Sequence, residues 1–508
     1  MQLSKQHLKN ISTASGVVVP DDKIFSLPEK VLQFGTGVLL RGLPDYFIDK
    51  ANRHGIFNGR VVMIKSTSTG SADEFSKQDN LYTLCIRGIE NNKKIEEFVI
   101  NSSISRVLSA KENWSDILQC AYNPELKIII SNTTEVGIAL TDDDIRLTPP
   151  QSFPGKLLSF LYERYKAFQG NKGSGMVVIP TELITDNGIK LRSIVLELAK
   201  MNKLENEFIN WLQEANHFCN SLVDRIVPGK LQDNDRLNAE RMLGYTDELM
   251  IMAESFRLWA IESSDEEVKQ ILSFVQADEG VTIAPDIEKF RELKLRLLNG
   301  THTFSCGLAF LAGFKTVREA MNDSHFSSFI HNLAMNEIAV AMSNGKISYN
   351  EACDFASKVL DRFRNPFLDH QWISITAQYS SKMKMRNIPL LVKHFKKNSY
   401  VPDGMALGFA AYLLFMKCSK SEKGNYVGHI NGCTYPVQDD HAAYFAEKWR
   451  NPDADKVVDS ILADKEFWET DLSSLNGFAE KVKMYLHAFL QNGVMSTFAS
   501  TAYSKTVV

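Results

Sequence analysis

The sequence contains no long apolar run. Its longest, MALGFAAYLLFM (405–416), falls short of the roughly 20 residues needed to cross a bilayer and reads as a core helix. Paired cysteines are also missing. The seven cysteines are scattered, odd in number and free of any CxxC spacing, which argues against a disulfide frame or a structural zinc site and fits reduced thiols. There is no basic excess: 57 Lys and Arg stand against 61 Asp and Glu, so no nucleic-acid partner is expected. HExxH, the G-x-S-x-G elbow and the G-x-x-x-x-G-K-[ST] loop are absent, and the eleven histidines are dispersed, so no metal is expected. The first residues, MQLSKQHLKNISTASG, are polar and lack the apolar core of a signal peptide. These absences together predict a cytoplasmic protein with no membrane partner.

What is present suits two domains, since 508 residues exceed one ordinary core. KVLQFGTGVLLRGLPDYFIDKANRHG (30–55) reads as a strand, a glycine turn and a helix. RVVMI (60–64), LKIIIS (126–131) and GMVVIP (175–180) are further short apolar strands, with helical stretches such as GKLLSFLYERYKAF (155–168) between them. Short buried strands alternating with helices predict an α/β fold with a mostly parallel sheet. LYTLCIRG (81–88) and EEFVINSSIS (96–105) read as a hairpin inserted in that sheet. From about 285 the spacing is helical and no strand stands out. The predicted division is therefore a Rossmann-like domain over 1–285 and a mostly α-helical domain over 286–508. The tail STAYSKTVV (500–508) is expected to fray.

The glycine turn is the first candidate site. Phe34, Gly35, Thr36 and Gly37 end a strand and open a helix, where backbone N–H groups can meet a pyrophosphate. The pattern is incomplete as G-x-G-x-x-G and would be weak away from an α/β setting. The second strand ends in Lys65, Ser66 and Thr67 rather than in the acid that binds an adenosine ribose, so NAD and NADP both stay open. SNTTEVGI (131–138) follows a buried strand at its carboxyl end. Thr133 and Glu135 there fit a cofactor contact or a simple helix cap. Asp224 lies inside the apolar run SLVDRIVPG (221–229).

The second candidate is KLRLLNGTHT (294–303). Lys294, Asn299 and His302 stand at i, i+5 and i+8 among leucines. On an α-helix Lys294 and His302 fall within about 80° of each other. Carbonyl reduction needs such a set: a proton donor for the oxygen and hydrogen-bond donors for the developing alkoxide. A snorkelling lysine, an Asn-Gly step and a packed histidine would give the same spacing. The Asn299-Gly300 step is expected to leave the helix intact or only locally distorted.

QFGTGVLLRG, SNTTEVGI, SLVDRIVPG, KLRLLNGTHT and RFRNPFLDH, in that order, resemble the polyol-specific long-chain dehydrogenases, the mannitol dehydrogenase family. The resemblance spans nearly the whole chain, and K-x-x-x-x-N-x-x-H is fairly specific within it. IPTELITDNG (179–188), NPFLDHQW and TYPVQDD (434–440) point to members that act on uronates. The resemblance implies a zinc-independent, NAD-dependent oxidoreductase acting on a keto-uronate/aldonate pair, as a monomer or small homo-oligomer. Another keto-uronate, a neutral or phosphorylated hexitol, or a catalytically inactive NAD(H) sensor are the alternatives. Lys294 is implied as general acid/base, with Asn299 and His302 at the reacting oxygen and Gly35 and Gly37 at the pyrophosphate. The family's second oxyanion asparagine falls at Leu183 here, so either Asn299 and Lys294 suffice or Asn187 substitutes. Lys382, His370 and Arg386 are the candidates for the substrate carboxylate.

Overall fold

The computed structural model describes residues 1–13, 16–66, 73–133, 135–430 and 432–501, with the side chains of Asp73 and Glu135 outside that description. The expectations for Thr67, the side chain of Glu135 and the end of the tail fall outside it. The chain forms two compact units, Met1–Arg87 with Lys94–Ile287, and Gly88–Lys93 with Glu288–Val508.

The first unit is built on six parallel strands. In spatial order they are Ile104–Ser109, Arg60–Lys65, Glu29–Phe34, Ile128–Ser131, Val177–Pro180 and His217–Phe218. By chain position this is 3-2-1-4-5-6, the doubly wound dinucleotide-binding order. Successive residues of each strand enter opposite cores, as a period of two requires. Val31, Met63, Ile128 and Ile130 join one cluster, and Leu32, Val62, Ile64 and Ile129 the other. Helix Pro44–Arg53 covers the first face with Phe47, Ile48 and Ala51. Helices Phe153–Ala167 and Asn187–Met201 cover the second with Leu157, Leu161, Leu191 and Val195. Burial on both faces is why these strands read as unbroken apolar runs.

The predicted hairpin is not part of this sheet. Tyr82–Glu90 and Lys93–Asn101 lie in a separate four-stranded sheet, where Tyr82–Glu90 pairs in parallel with Ile251–Glu254. That partner stands far along the chain, so no local pattern announces it. A third sheet joins Ser221–Asp224, Leu258–Glu262 and Val281–Ala284.

The second unit is mostly helical. Asp403–Phe415, the longest apolar run, is buried almost all round and is a core helix. A three-stranded antiparallel meander, Cys418–Lys420, Tyr426–Ile430 and Cys433–Pro436, corrects the strand-free expectation for this half. Its signal lay in alternating residues around the turn glycine Gly432, which has φ 77°. No described helix is long and apolar enough to cross a membrane.

Candidate functional site

In the first unit the order of strands reverses between Glu29–Phe34 and Ile128–Ser131. The glycine turn follows the first of these strands and the Asn132–Thr133 turn follows the second, both at carboxyl ends, where ligands bind in such sheets. Phe34 is fully buried, edge-on to Phe153 at 5.3 Å, and so contributes backbone and packing. Gly35 has φ +127° and donates its N–H to Ile64 O at 2.9 Å; a Cβ there would lie 2.9 Å from Leu40 Cδ1 and 3.1 Å from Asn132 O. Only glycine fits that conformation. Thr36 lies between the two glycines. Gly37 precedes helix Val38–Gly42, and a Cβ on it would meet nothing within 4 Å. The open space at the helix start, which a side chain would fill, fits a pyrophosphate.

The third glycine of the usual fingerprint is displaced but its role is filled. A Cβ on Gly42 would lie 2.9 Å from both methyls of Val227, so this glycine permits close packing of the helix. Arg225, stacked over Tyr46 at 4.8 Å, donates to Gly42 O at 2.6 Å. Arg41 turns inward: it donates to Leu249 O at 2.9 Å and packs between Phe75 and Tyr82, so it braces the turn. Beneath the turn, Gln33 Nε2 donates to Asp45 Oδ2 at 3.2 Å. Burial pushes the Asp45 carboxyl up to about 7, against the opposing pull of the Gln33 hydrogen bond and the Arg41 charge.

The turn after Ser131 is organised from the IPTELITDNG stretch, by Glu182. Glu182 is buried and accepts from Thr133 N at 2.8 Å, Thr133 Oγ1 at 3.0 Å and Ser131 Oγ at 3.2 Å. Burial raises its pKa, and these donors offset part of the rise. Thr133 is thereby held at the strand end. Asp224 is buried at the end of its strand, and Lys65 closes the second strand half-buried.

Asn187 requires a correction. Its Nδ2 donates to the carbonyls of Pro180, Glu182 and Ser221, each at 3.0 Å, and its Oδ1 accepts from Gly188 N and Ser221 N at 2.9 Å. The amide is saturated by backbone and brackets two strand ends, so it has no capacity left for a substrate oxygen. Leu183, at 63% exposure, supplies no polar group either.

In the second unit Glu288–Leu293, Lys294–Gly300 and Thr301–Leu311 form one continuous helix whose middle segment is a π-helical turn. The Asn299-Gly300 step does not break it: Gly300 keeps φ −66° and ψ −44°. The π-turn settles the geometry that α-helical spacing left awkward. In an α-helix Lys294 and Asn299 would diverge by about 140°. A π-turn bonds i to i+5 and so brings positions 294 and 299 closer to a common face than an α-helix does. Leu297 and Leu298 are buried behind it, while Lys294, Asn299 and His302 are half-buried.

His302 stacks on Phe363 with centroids 4.1 Å apart and meets His370 edge-on at 5.4 Å and Trp372 at 6.0 Å. Its pKa lies well below the usual imidazole range because burial and then the charges of His370, Arg362, Arg386 and Lys382 oppose a second proton. It is a neutral group near pH 7. Lys382, His370 and Arg386 are therefore gathered about His302, together with Arg362, which the spacing argument had not singled out. Arg386 Nη1 donates to Thr303 Oγ1 at 3.2 Å, and Lys382 Nζ to Ile375 O at 3.0 Å. Burial and the neighbouring Arg386 lower the Lys382 pKa.

The TYPVQDD string has a structural role behind this cluster. Asp439 Oδ2 accepts from Ser380 N at 2.7 Å, at the start of the helix Tyr379–Lys382. Gln378 Nε2 donates to Asp440 Oδ1 at 2.9 Å, and Gln378 N to Gln438 O at 2.7 Å. The string clamps the segment that carries Lys382 and Arg386, and the Asp439 carboxylate partly offsets the lowering at Lys382. Among the described residues no group of three or more His, Cys, Asp or Glu is arranged to hold a metal ion.

Comparison with known proteins bears on the same two regions. The mannitol dehydrogenase Rossmann domain matches residues 29–272, and the mannitol dehydrogenase C-terminal domain matches residues 286–490. Altronate oxidoreductase of Bacillus subtilis (strain 168) is 37% identical over 479 residues, covering 93% of this chain and 95% of that protein. The altronate oxidoreductase of Escherichia coli (strain K12) is 36% identical over 481 residues, covering 92% and 95%. Among solved structures, D-sorbitol dehydrogenase in substrate-free form aligns at TM-score 0.77 and 21% identity, over 98% of this chain and 100% of that one. The Pseudomonas fluorescens mannitol 2-dehydrogenase ternary complex with NAD and D-mannitol aligns at TM-score 0.65 and 22% identity, over 98% and 99%. The chain belongs to the mannitol dehydrogenase family.

Proposed function

We propose that the protein is an NAD-dependent tagaturonate reductase, or altronate oxidoreductase, interconverting D-tagaturonate and D-altronate in hexuronate breakdown. The observation that carries this reading is the gathering of Lys382, Arg386 and Arg362 about His302, on the helix that also bears Lys294 and Asn299. A keto-uronate brings a carboxylate that a neutral hexitol lacks, and cationic donors in a partly buried setting are its natural partners. Full-length similarity to altronate oxidoreductases points to the same substrate.

Bound NAD(H) supplies the hydride and takes it back. The backbone N–H groups of Gly35, Thr36 and Gly37 would hold its pyrophosphate, with Thr133 and Asp224 lining the nucleotide. Lys294 gives a proton to the ketone oxygen as the new C–H bond forms, and removes it in the reverse direction. Asn299 and neutral His302 donate hydrogen bonds to the oxygen or its neighbour, which stabilises the charge that develops there. Lys382, Arg386 and His370 would bind the carboxylate and so orient the substrate.

The test is NADH oxidation across tagaturonate, fructuronate, fructose and fructose 6-phosphate. Tagaturonate is expected to give the highest kcat/KM, and Lys294→Ala to lower it by about 10³-fold in a folded protein. Preference for a neutral ketose sinks the uronate reading. Near-full activity of Lys294→Ala sinks the mechanism. Tight NADH binding without turnover of any of the four would instead establish a nucleotide sensor.

A further inference from the structure

A π-turn is an uncommon and poorly bonded form of helix, so its persistence calls for support from outside the turn. Two π-turns stand side by side in the second unit, Lys294–Gly300 and Met383–Asn387. Arg296 Nη1 bridges the carbonyls of Met385 and Arg386, each at 2.7 Å. The other side of the Arg296 fork is fixed by Glu292, with Nη2 at 3.0 Å from Oε1 and Nε at 3.2 Å from Oε2. In return Asn387 Nδ2 donates to Gly300 O at 3.1 Å. The loop closes through Arg386, which donates to Thr303 Oγ1, while that hydroxyl donates to Asn299 O at 2.8 Å. Both Arg296 and Asn387 are buried. Among the described residues Asn387 Oδ1 has no hydrogen-bond partner.

We propose that Arg296 and Asn387 are positioning residues of the reaction, locking the two π-turns in one register and so holding Lys294 and Asn299 on a common face. The inference rests on the roles given above to Lys294 and Asn299. Without the lock the turn relaxes to α-helical bonding, and the two side chains swing apart by about 140°. Neither positioning residue meets the substrate; each acts through the peptide groups of the turn.

The test uses the full-length protein carrying Asn387→Ala, and Arg296→Lys as a second variant that keeps charge but loses the fork. Turnover of tagaturonate, NADH affinity and hydrogen exchange over residues 294–303 are measured together. Asn387→Ala is expected to lower kcat about 100-fold, because misplacement of reacting groups by an ångström costs that much. The Kd for NADH should stay within about twofold, KM should change far less than kcat, and exchange should quicken over 294–303. Arg296→Lys should show the same pattern at about 10-fold, and carries the test if Asn387→Ala does not fold. Turnover within twofold of wild type in a folded variant, or unchanged exchange, overturns the proposal. If the wild-type protein itself reduces no keto-uronate, the functional reading fails separately. The register lock then stands or falls on the exchange of 294–303 in the same variants.

Discussion

In the roles proposed for them, Gly35–Gly37 give up side chains so that backbone N–H groups can approach a ligand, and Lys294–His302 give up regular backbone so that side chains can. The first arrangement depends on one conformation, the positive φ of Gly35, set at a strand end that both neighbouring strands already define. The second depends on a helix register, which no single residue sets and which hydrogen bonds from a neighbouring turn maintain. The pair teaches that a backbone-made site is fragile at its glycine, whereas a side-chain-made site is fragile at the residues that hold its register.

The widest break in that comparison is Gly35→Ala. The new Cβ meets Asn132 O at 3.1 Å in a conformation that L residues rarely adopt. The protein should lose about 1–3 kcal/mol of stability, and NADH affinity should fall at least about tenfold through lost alignment of the N–H groups. Calorimetry and nucleotide titration read both, and unchanged NADH binding would separate the turn from the nucleotide.

A smaller effect is expected beneath the same turn. The Asp45 carboxyl titrates near 7 when folded against an ordinary 3.8. An acid that holds its proton more tightly in the folded state stabilises the fold at low pH, and that contribution is lost as pH rises from about 4 to about 7. Asp45→Asn removes the titration. It should raise stability relative to wild type by about 1–3 kcal/mol at pH 8 and by little at pH 4. Equal differences at both pH values, in denaturant unfolding, would show that Asp45 is not the titrating group.

The smallest effect sharpens the contrast from the other side. Gly300 lies inside the π-turn at ordinary helical φ, and a Cβ there meets its neighbours at 3.5–3.6 Å, an ordinary contact. Gly300→Ala should be tolerated, with a gain of at most about 1 kcal/mol from reduced unfolded-state freedom and no loss of turnover. A large loss would mean that the π-turn needs glycine after all.

Much of the first unit was legible because its information is local. Short apolar strands such as Ile128–Ser131 end at turns, and glycine marks the positive φ of the turn at Gly35. The helical half was legible in outline, and K-x-x-x-x-N-x-x-H lies on one continuous helix of it. What stayed hidden was pairing at a distance. Tyr82–Glu90 finds its partner 167 residues on at Ile251–Glu254 (253 less 86, Ala253 standing opposite Ile86). Asn187 read as a substrate ligand because an amide looks the same whether it meets a ligand or backbone. Glu182 gave no signal beyond its place next to a strand end. TYPVQDD was conspicuous as a string, but its function as a clamp on Gln378 and Ser380 exists only once the meander has formed.

The amino-acid order by itself determined the strand and helix periodicity, the glycine turn and the set of chemistry-bearing side chains, because each of these follows from the steric and hydrophobic character of residues close in sequence. Tertiary structure decided the register of the Lys294 helix, the gathering of Lys382, Arg386, Arg362 and His370 about His302, and the inward turn of Arg41. Those outcomes depend on which distant carbonyls and charges are available when the chain has packed.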